Sequence, residues 1–396
     1  MILNPIQTTA TARAIPWSFI LGIALAISCF PFPSGAQTVL PADAIAMEQQ
    51  GKFAEAADAW RNVTTQNPKD AVAFASMGLD LARLEKYNDA IQAYKKAAAL
   101  NPELPGLSLN WGLAEFKQGR FAAAIPQFKS AMTTEAYKSQ ARLLLGMSYY
   151  GAQQFAEATK YLGEAAKSEP DNLDLRQMLA QSCLNAKQFP CAADEFRFIL
   201  QKNPDSAAAH MLLGEALDGL SRTPEAIAEF QAAAKADPQT PNVYFGLGYL
   251  NWKMRQHDDA AKAFESAIKN DPGNAQALAY LGDIELKRDH PEKALELLQQ
   301  SAKLSNDIRI AELDLGVIHT QRKQYNEALV ALKRAEKLDP AQPDVHFRLG
   351  RLYQAMGKPD AAEQEFAKVR ELHQKDEDDV ARRMSAHTPP PKPTQP

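Results

Sequence analysis

The sequence predicts an all-α fold, an α-α superhelix (solenoid) of about ten 34-residue helix-turn-helix repeats. A fixed sequence period of about 20 to 50 residues determines the architecture of a whole chain. Here a 34-residue period runs in phase from Gln37 to Asp376 without insertion or deletion. Three observations support it: an alanine repeated in register, a small residue matched to a large one, and helix breaks at fixed places.

The alanine stands at place 20, counted from the first residue of each repeat window. The ten windows are residues 37–70, 71–104, 105–138, 139–172, 173–206, 207–240, 241–274, 275–308, 309–342 and 343–376. The alanines are Ala56, Ala90, Ala124, Ala158, Ala192, Ala226, Ala260, Ala294, Ala328 and Ala362. Ten alanines in register exceed what composition explains, so the chain is a tandem array.

The residue at place 8 is always small, and the residue at place 24 is always large. Place 8 holds glycine in eight windows and alanine in the other two, at Ala44 and Ala180. Place 24 holds Trp60, Tyr94, Phe128, Leu162, Phe196, Phe230, Phe264, Leu298, Leu332 and Phe366. Glycine within a helix costs about 1 kcal/mol relative to alanine, so its recurrence predicts close helix packing at this place.

Breaks at two places divide each window into two helices. Six windows close with Asn-Pro or Asp-Pro, for example Asn67-Pro68, and proline keeps the preceding residue out of the α region. A second break falls near place 15, at Gly51, Gly119 and Gly357 among others. Apolar residues within each half follow the 3.6-residue period, which predicts an antiparallel helix pair in each window.

With these motifs, the chain resembles the tetratricopeptide repeat (TPR) family, as an exported bacterial member. The resemblance rests on the 34-residue unit, Leu-Gly in the first helix, and alanine followed by an aromatic residue in the second. It implies a superhelix whose first helices line the concave side. Pro41 and Asp43 depart from the pattern, which predicts a short, capping first helix in window one.

Residues 1–36 have the pattern of an export signal. Arg13 precedes an apolar run from about Ile15 to Phe30, and Ser34-Gly35-Ala36 suits cleavage that leaves Gln37 first. Two alternatives stay open. Residues 15–30 could form a retained membrane anchor, although a membrane span usually has about 20 apolar residues. Alternatively, Cys29 could carry a lipid. Each places residues 37–396 outside the cytoplasm, in the periplasm or secreted.

Residues 377–396 follow the last window. Glu377, Val380 and Met384 predict an extension of the last helix, and the proline-rich segment from Thr388 to Pro396 predicts a disordered tail. A proline-rich ligand for another domain is the alternative for the tail.

Composition and motifs argue against an enzyme and against nucleic-acid binding. The net charge is -4 with both signs interleaved, so no basic stripe is available for phosphates. There is no HExxH, GxxxxGK[ST] or GxSxG motif and no His or Cys pair at ligand spacing on one helix face. The repeats also leave no segment for a catalytic domain. We therefore expect no cofactor and no metal, and we interpret His210 and His346, both at place 4, as structural.

The candidate partner-binding groove lies at places 5, 9 and 12 of the first helices, which form one stripe of an α-helix. Three windows carry large apolar groups there: Phe245, Tyr249 and Trp252; Leu109, Leu113 and Phe116; Leu143, Met147 and Tyr150. The alternative is that these side chains pack between repeats. Some TPR proteins clamp a C-terminal carboxylate with Lys and Asn, but places 5 and 9 carry neither residue here, and Arg348 and Arg351 are the nearest basic pair.

Cys183 and Cys191 stand at places 11 and 19 of window five, nearly equidistant from the turn between its helices. An oxidising compartment permits a disulfide between them, and two buried thiols are the alternative.

These observations predict a protein–protein interaction scaffold of the cell envelope that binds peptide segments of partner proteins in the concave groove. The alternative is an accessory factor in secretion or in the assembly of envelope polysaccharide or peptidoglycan, with sugars stacked on the aromatic groove.

Overall fold

The computed structural model describes residues 42–386, and within this range every regular element is helical. The first helices of the ten repeats are α1 (Ala42–Gln49), α3 (Ala71–Arg83), α5 (Leu107–Lys117), α7 (Lys138–Gly151), α9 (Leu173–Asn185), α11 (Ala207–Gly219), α13 (Val243–Lys253), α15 (Ala275–Lys287), α17 (Arg309–Gln321) and α19 (Pro343–Ala355). The second helices are α2 (Phe53–Gln66), α4 (Tyr87–Leu100), α6 (Phe121–Ala131), α8 (Phe155–Ser168), α10 (Phe189–Lys202), α12 (Thr223–Ala236), α14 (His257–Asn270), α16 (Pro291–Leu304), α18 (Tyr325–Leu338) and α20 (Pro359–Ala386). The predicted all-α class with paired helices is confirmed.

The chain divides into two compact units, with the boundary between Ala114 and Glu115 inside α5. In unit 1, Trp60 is buried against Ala44 and Ala73 and donates a hydrogen bond from Nε1 to Glu48 Oε1 at 2.7 Å. A second core cluster in this unit surrounds Tyr94.

In unit 2, each second helix packs against its own first helix and against the first helix of the next repeat. Several successive first helices also contact one another, as α15 contacts α17 and α17 contacts α19, whereas successive second helices approach less closely. The first helices therefore lie on one side of this unit. We call the face formed by α7, α9, α11, α13, α15, α17 and α19 the inner layer.

The small place 8 and the large place 24 are in direct contact. A methyl group added to Gly282 would lie 2.7 Å from Leu298 Cγ, and one added to Gly248 would lie 2.7 Å from the Phe264 ring. Such separations are too short for a real contact. Each glycine is thus required by the large side chain that it faces. This packing outweighs the free-energy cost of glycine within a helix.

Gly282→Ala is accordingly expected to destabilise the protein by about 1 to 3 kcal/mol, because the added methyl displaces the buried Leu298 side chain. Chemical denaturation measures the change. Gly163→Ala is the matched control, since a methyl group there has only Leu179 Cδ1 nearby, at 4.0 Å, and should stabilise the helix slightly. Equal effects of the two substitutions would contradict this packing account.

The turn within each repeat uses left-handed backbone at place 15. The three glycines there, Gly51, Gly119 and Gly357, have φ of 69 to 75°. The other seven windows reach a φ of 58 to 63° with Glu85, Gln153, Lys187, Ser221, Arg255, Asp289 and Lys323. The sequence predicted the break at the glycines, but it carries no glycine signal at the other seven places.

Polar side chains begin several first helices. Asn274 Oδ1 accepts a hydrogen bond from the Ala277 amide at 2.9 Å, and Asp70 caps α3 in the same way. Both stand at place 34, directly after the closing turn of the preceding window. Capping here satisfies an amide that the helix itself cannot pair.

The ends of the array differ from its middle. Within the described residues α1 runs from Ala42 to Gln49, and α20 has 28 residues and continues to Ala386. The predicted signal, Arg13, Cys29 and the tail from Thr388 lie outside the described residues, and the domain limits stay predictions. Among the helices of residues 42–386, none combines the length and apolar character needed to cross a membrane.

Candidate partner-binding surface

The structure separates the predicted groove residues into two groups. Phe245, Leu109, Leu113, Phe116 and Met147 are buried. Their burial corrects the prediction that they form an open groove, because each packs into the interior of the repeat array. Tyr249, Trp252, Leu143 and Tyr150 stay partly exposed.

The three predicted groove residues of repeat 7 belong to a packed aromatic cluster. The Phe245 ring lies 5.9 Å from Phe264, at the core place 24, and 6.1 Å from Tyr280 of the next repeat. Trp252 is stacked on Tyr249 at 6.0 Å and meets Tyr280 edge-on at 4.9 Å. Much of the predicted stripe thus holds repeats 7 and 8 together.

A polar contact reinforces this junction. Trp252 Nε1 donates to Asp283 Oδ2 at 2.6 Å, and Lys287 Nζ donates to the same oxygen at 2.7 Å. The Lys287 ammonium also lies 5.0 Å from the centre of the Trp252 ring. Tyr150 and Gln181 repeat the arrangement between repeats 4 and 5, with a hydrogen bond of 2.6 Å. Place 12 of one repeat is therefore tied to place 9 of the next.

Three acidic residues on the helices of the inner layer have a buried carboxyl oxygen with no hydrogen-bond partner among the described residues: Glu215 Oε1, Asp314 Oδ2 and Glu312 Oε1. The Glu312 oxygen lies 3.5 Å from Arg334 Nη1. Burial raises the pKa of Glu215 to about 7. Burial also raises the pKa of Asp314, and the neighbouring Asp283 carboxylate adds to this, whereas Lys287 and Arg348 oppose it. The Glu215 and Asp314 oxygens are both enclosed by the packed helices.

Sequence reasoning missed both acids. Their signal is a charged residue in the middle of a first helix, at place 9 for Glu215 and place 6 for Asp314. Only the packed neighbours show that these oxygens are buried.

The last repeat leaves an aromatic side chain open. Phe347, at place 5 of repeat 10, is 45% exposed, whereas Phe245 and Leu313 at the same place are 4% and 8% exposed. Arg348 and Arg351 beside it are exposed. This end of the inner layer is therefore both apolar and basic.

His346 ties its first helix to two neighbours. Its Nδ1 lies 2.7 Å from Glu365 Oε2, and its Nε2 lies 2.9 Å from the Pro340 carbonyl oxygen. His210 makes the same two contacts, to Glu229 of its own repeat and to the Pro204 carbonyl of the preceding repeat. Arg176 likewise contacts Glu195 and the Pro170 carbonyl. Place 4 therefore supplies a structural clamp between repeats.

Glu336, His346 and Glu365 also bring three potential metal-ligand atoms within 4.8 Å of one another. Lys368 Nζ lies 3.2 Å from Glu365 and 3.5 Å from Glu336, and Lys333 Nζ lies 3.6 Å from Glu365. Burial raises the pKa of Glu365, but hydrogen bonds from His346 and Lys368 outweigh it and leave that pKa lowered. These ammonium groups neutralise the carboxylates, so the cluster is complete as an ion-pair network.

Cys183 and Cys191 are bonded as a disulfide between α9 and α10, with their Cα atoms 5.8 Å apart. Reduction is expected to lower stability by about 2 to 3 kcal/mol, because the bond closes a short loop. Thiol counting under denaturing, non-reducing conditions should find neither cysteine reactive. Two reactive thiols before reduction would contradict the disulfide.

Within unit 2, helix pairs that each pack on the next repeat define a helical-repeat solenoid. Tetratricopeptide repeat family models match residues 115–181 and 319–385, and also residues 76–140, 178–241 and 245–307. The chain belongs to the tetratricopeptide repeat family. Proteins of this family are generally non-enzymatic scaffolds that bind protein partners.

Several solved structures have a similar fold. YrrB, described as a TPR protein with an unusual peptide-binding site, is 22% identical over 46% of this chain and 93% of its own, with a TM-score of 0.38. Yeast Tom70 is 16% identical over 83% of this chain and 90% of its own, with a TM-score of 0.38. The APC/C hetero-tetramer Cut9–Hcn1 includes a chain 15% identical over 83% of this one and 79% of its own, with a TM-score of 0.43. No curated protein sequence matches this chain significantly.

Proposed function

We propose that this protein is a scaffold of the cell envelope that binds a peptide segment of a partner protein along the inner layer of unit 2. The observation that carries the proposal is the partly exposed aromatic pair on that layer, Tyr249 and Trp252. Aromatic side chains contribute much of the binding energy at protein interfaces.

The apolar surroundings support the same occupant. Tyr249 and Trp252 are partly exposed on α13, between the helices that carry Glu215 and Asp314. An extended segment lying across α13 contacts both rings. Repeat arrays provide long surfaces of this kind, which suit peptides better than compact small molecules.

The sugar-stacking alternative is less well supported. It requires an open aromatic face, but the Trp252 ring is stacked on Tyr249 and has the Lys287 ammonium above it. Peptide binding requires only the polar groups and the exposed edges of these rings.

The envelope location rests on the signal pattern of residues 1–36 and is supported by the disulfide, since disulfides persist in oxidising compartments. Intact-mass measurement of the exported protein should give a chain beginning at Gln37. A retained Arg13, or a lipid on Cys29, would contradict cleavage at Ala36.

Site-specific photo-crosslinking in cells tests the binding surface. A benzophenone amino acid at Tyr249, on the inner layer, should crosslink a partner protein, and one at Val330, which is 54% exposed on α18, should not. Trp252→Ala should reduce the crosslink at Tyr249, measured at a temperature where the variant is folded, because one of the two partly exposed rings is removed. An equal crosslink at Val330, or a crosslink unchanged by Trp252→Ala, would overturn the proposal.

A further inference from the structure

The two sulfur atoms of the disulfide lie in different environments. Cys183 is fully buried in α9, whereas Cys191 is partly exposed. Cys191 also lines a cleft of about 540 Å³, and Cys183 does not. An external reagent in this cleft reaches one side of the bond only.

The cleft lies on unit 2 between α8, α9 and the start of α10. Gly163, at place 25 of repeat 4, lines the cleft. At the same place, repeats 3 and 5 carry the long side chains of Lys129 and Arg197. A Cβ atom at Gly163 would meet only Leu179 Cδ1, at 4.0 Å. The absence of a side chain at this one place therefore gives access to Cys191.

The surroundings of Cys191 favour negative charge on its sulfur. It is the third residue of α10, a 14-residue helix, so it lies in the first turn, at the positive end of the helix dipole. Lys160 and Lys167 line the cleft and are exposed, whereas Arg176 is already paired with Glu195 at 2.7 Å and Glu164 with Arg142 at 3.1 Å. Helix N-termini and nearby cations are features of reactive cysteines.

We propose that Cys191 is a thiol-exchange site, at which a small thiol bearing an acidic group attacks the disulfide from the cleft. The thiolate sulfur forms a bond to Cys191 Sγ, and the bond between the two Sγ atoms breaks. The electron pair passes to Cys183 Sγ, which takes a proton from water, so this step involves no net oxidation. A second thiolate then attacks the mixed disulfide at the sulfur of the small thiol, and it releases the Cys191 thiolate and the oxidised small-molecule disulfide.

The cleft matches this reagent in charge and size. The thiol sulfur reaches Cys191 while its acidic group lies near Lys160 and Lys167. The reagent is distinct from the peptide partner of the inner layer, because the cleft is formed mainly by the second helices α8 and α10 with part of α9. Exchange here opens the link between the two helices of repeat 5, which makes repeat 5 sensitive to thiols.

The test uses the full exported chain in its oxidised form and three probes: 2-mercaptoethanesulfonate, 2-mercaptoethanol and cysteamine, compared at equal thiolate concentration. After alkylation of free thiols, peptide mass spectrometry locates the adduct. We expect the mixed disulfide on Cys191 and the alkyl group on Cys183. The anionic probe should react about threefold or more faster than the cationic one at low salt.

Two sets of variants separate cleft access from general opening of the fold. Changing both Lys160 and Lys167 to glutamate should reverse the order of the anionic and cationic probes. Gly163→Gln should slow exchange about threefold or more relative to Gly163→Ala, because both variants remove the helix-destabilising glycine but only glutamine fills the cleft. Three results would overturn the proposal. They are an adduct on Cys183, the same order of probe rates after the lysines are changed to glutamate, and equal exchange rates for the two Gly163 variants.

Discussion

Phe264→Ala is expected to destabilise the protein by about 3 to 5 kcal/mol, the largest effect predicted for a single substitution. Phe264 is fully buried, its ring is stacked on Tyr280 at 5.6 Å, and it occupies the space left by Gly248. The truncation leaves a cavity between two helices that glycine cannot close. Denaturation followed by circular dichroism measures the loss.

Trp252→Ala is the informative comparison. Trp252 is partly exposed, yet it contacts Tyr249 and Tyr280 and donates to Asp283. We expect a loss of about 2 kcal/mol, smaller than for Phe264 but measurable, because the indole ties two repeats together. A Trp252 variant as stable as the native protein would show that this residue serves binding alone. A loss equal to that of Phe264→Ala would place it in the core.

The second large effect concerns pH. The folded pKa of Glu215, about 7, lies above its ordinary value of 4.5. The stability that the protonated Glu215 carboxyl group contributes is therefore fully present below pH 4.5. It is lost as the pH rises through 7, where the buried carboxyl group ionises. Glu215→Gln removes this dependence, so the variant should be about 2 to 3 kcal/mol more stable than the native protein at pH 8. Near pH 4.5 the two should differ little.

Melting curves of both proteins between pH 4.5 and pH 8 check this expectation. Glu265→Gln is the matched control, because Glu265 is exposed on α14 and its replacement should leave the pH profile unchanged. A Glu215→Gln variant whose advantage stays constant across the range would contradict a titrating buried carboxyl.

The sequence predicted the fold well because its main signals are local or strictly periodic. Ala260, Gly248 and Phe264 illustrate this: the spacing of one small and one large residue implied the contact that the structure shows. The turn at place 15 was predicted less completely. Lys187 and Arg255 adopt the same left-handed backbone as Gly119, but their identity does not signal it. The surrounding helix pair imposes that conformation, whose cost of about 1 to 2 kcal/mol the packing offsets.

The candidate site was harder to predict because burial depends on the neighbouring repeat. Phe245, Tyr249 and Trp252 share one helical stripe in the sequence, but only Tyr249 and Trp252 stay partly exposed. Tyr280 of repeat 8 packs against all three rings, but only Phe245 also packs against Phe264 at the core place 24. A sequence stripe identifies a face of a helix and does not show how much of that face the next helix covers.

The sequence by itself therefore determined the repeat length, the helix pairs and the place 8 and place 24 contacts, because each follows from spacing along one chain. The tertiary structure decided which inner-layer side chains are open, that Glu215 and Asp314 lack partners, and that Cys191 rather than Cys183 faces a cleft. These properties arise where side chains about one repeat apart meet. Exposure, hydrogen bonding and pKa are set by the sum of those contacts and the water that they exclude.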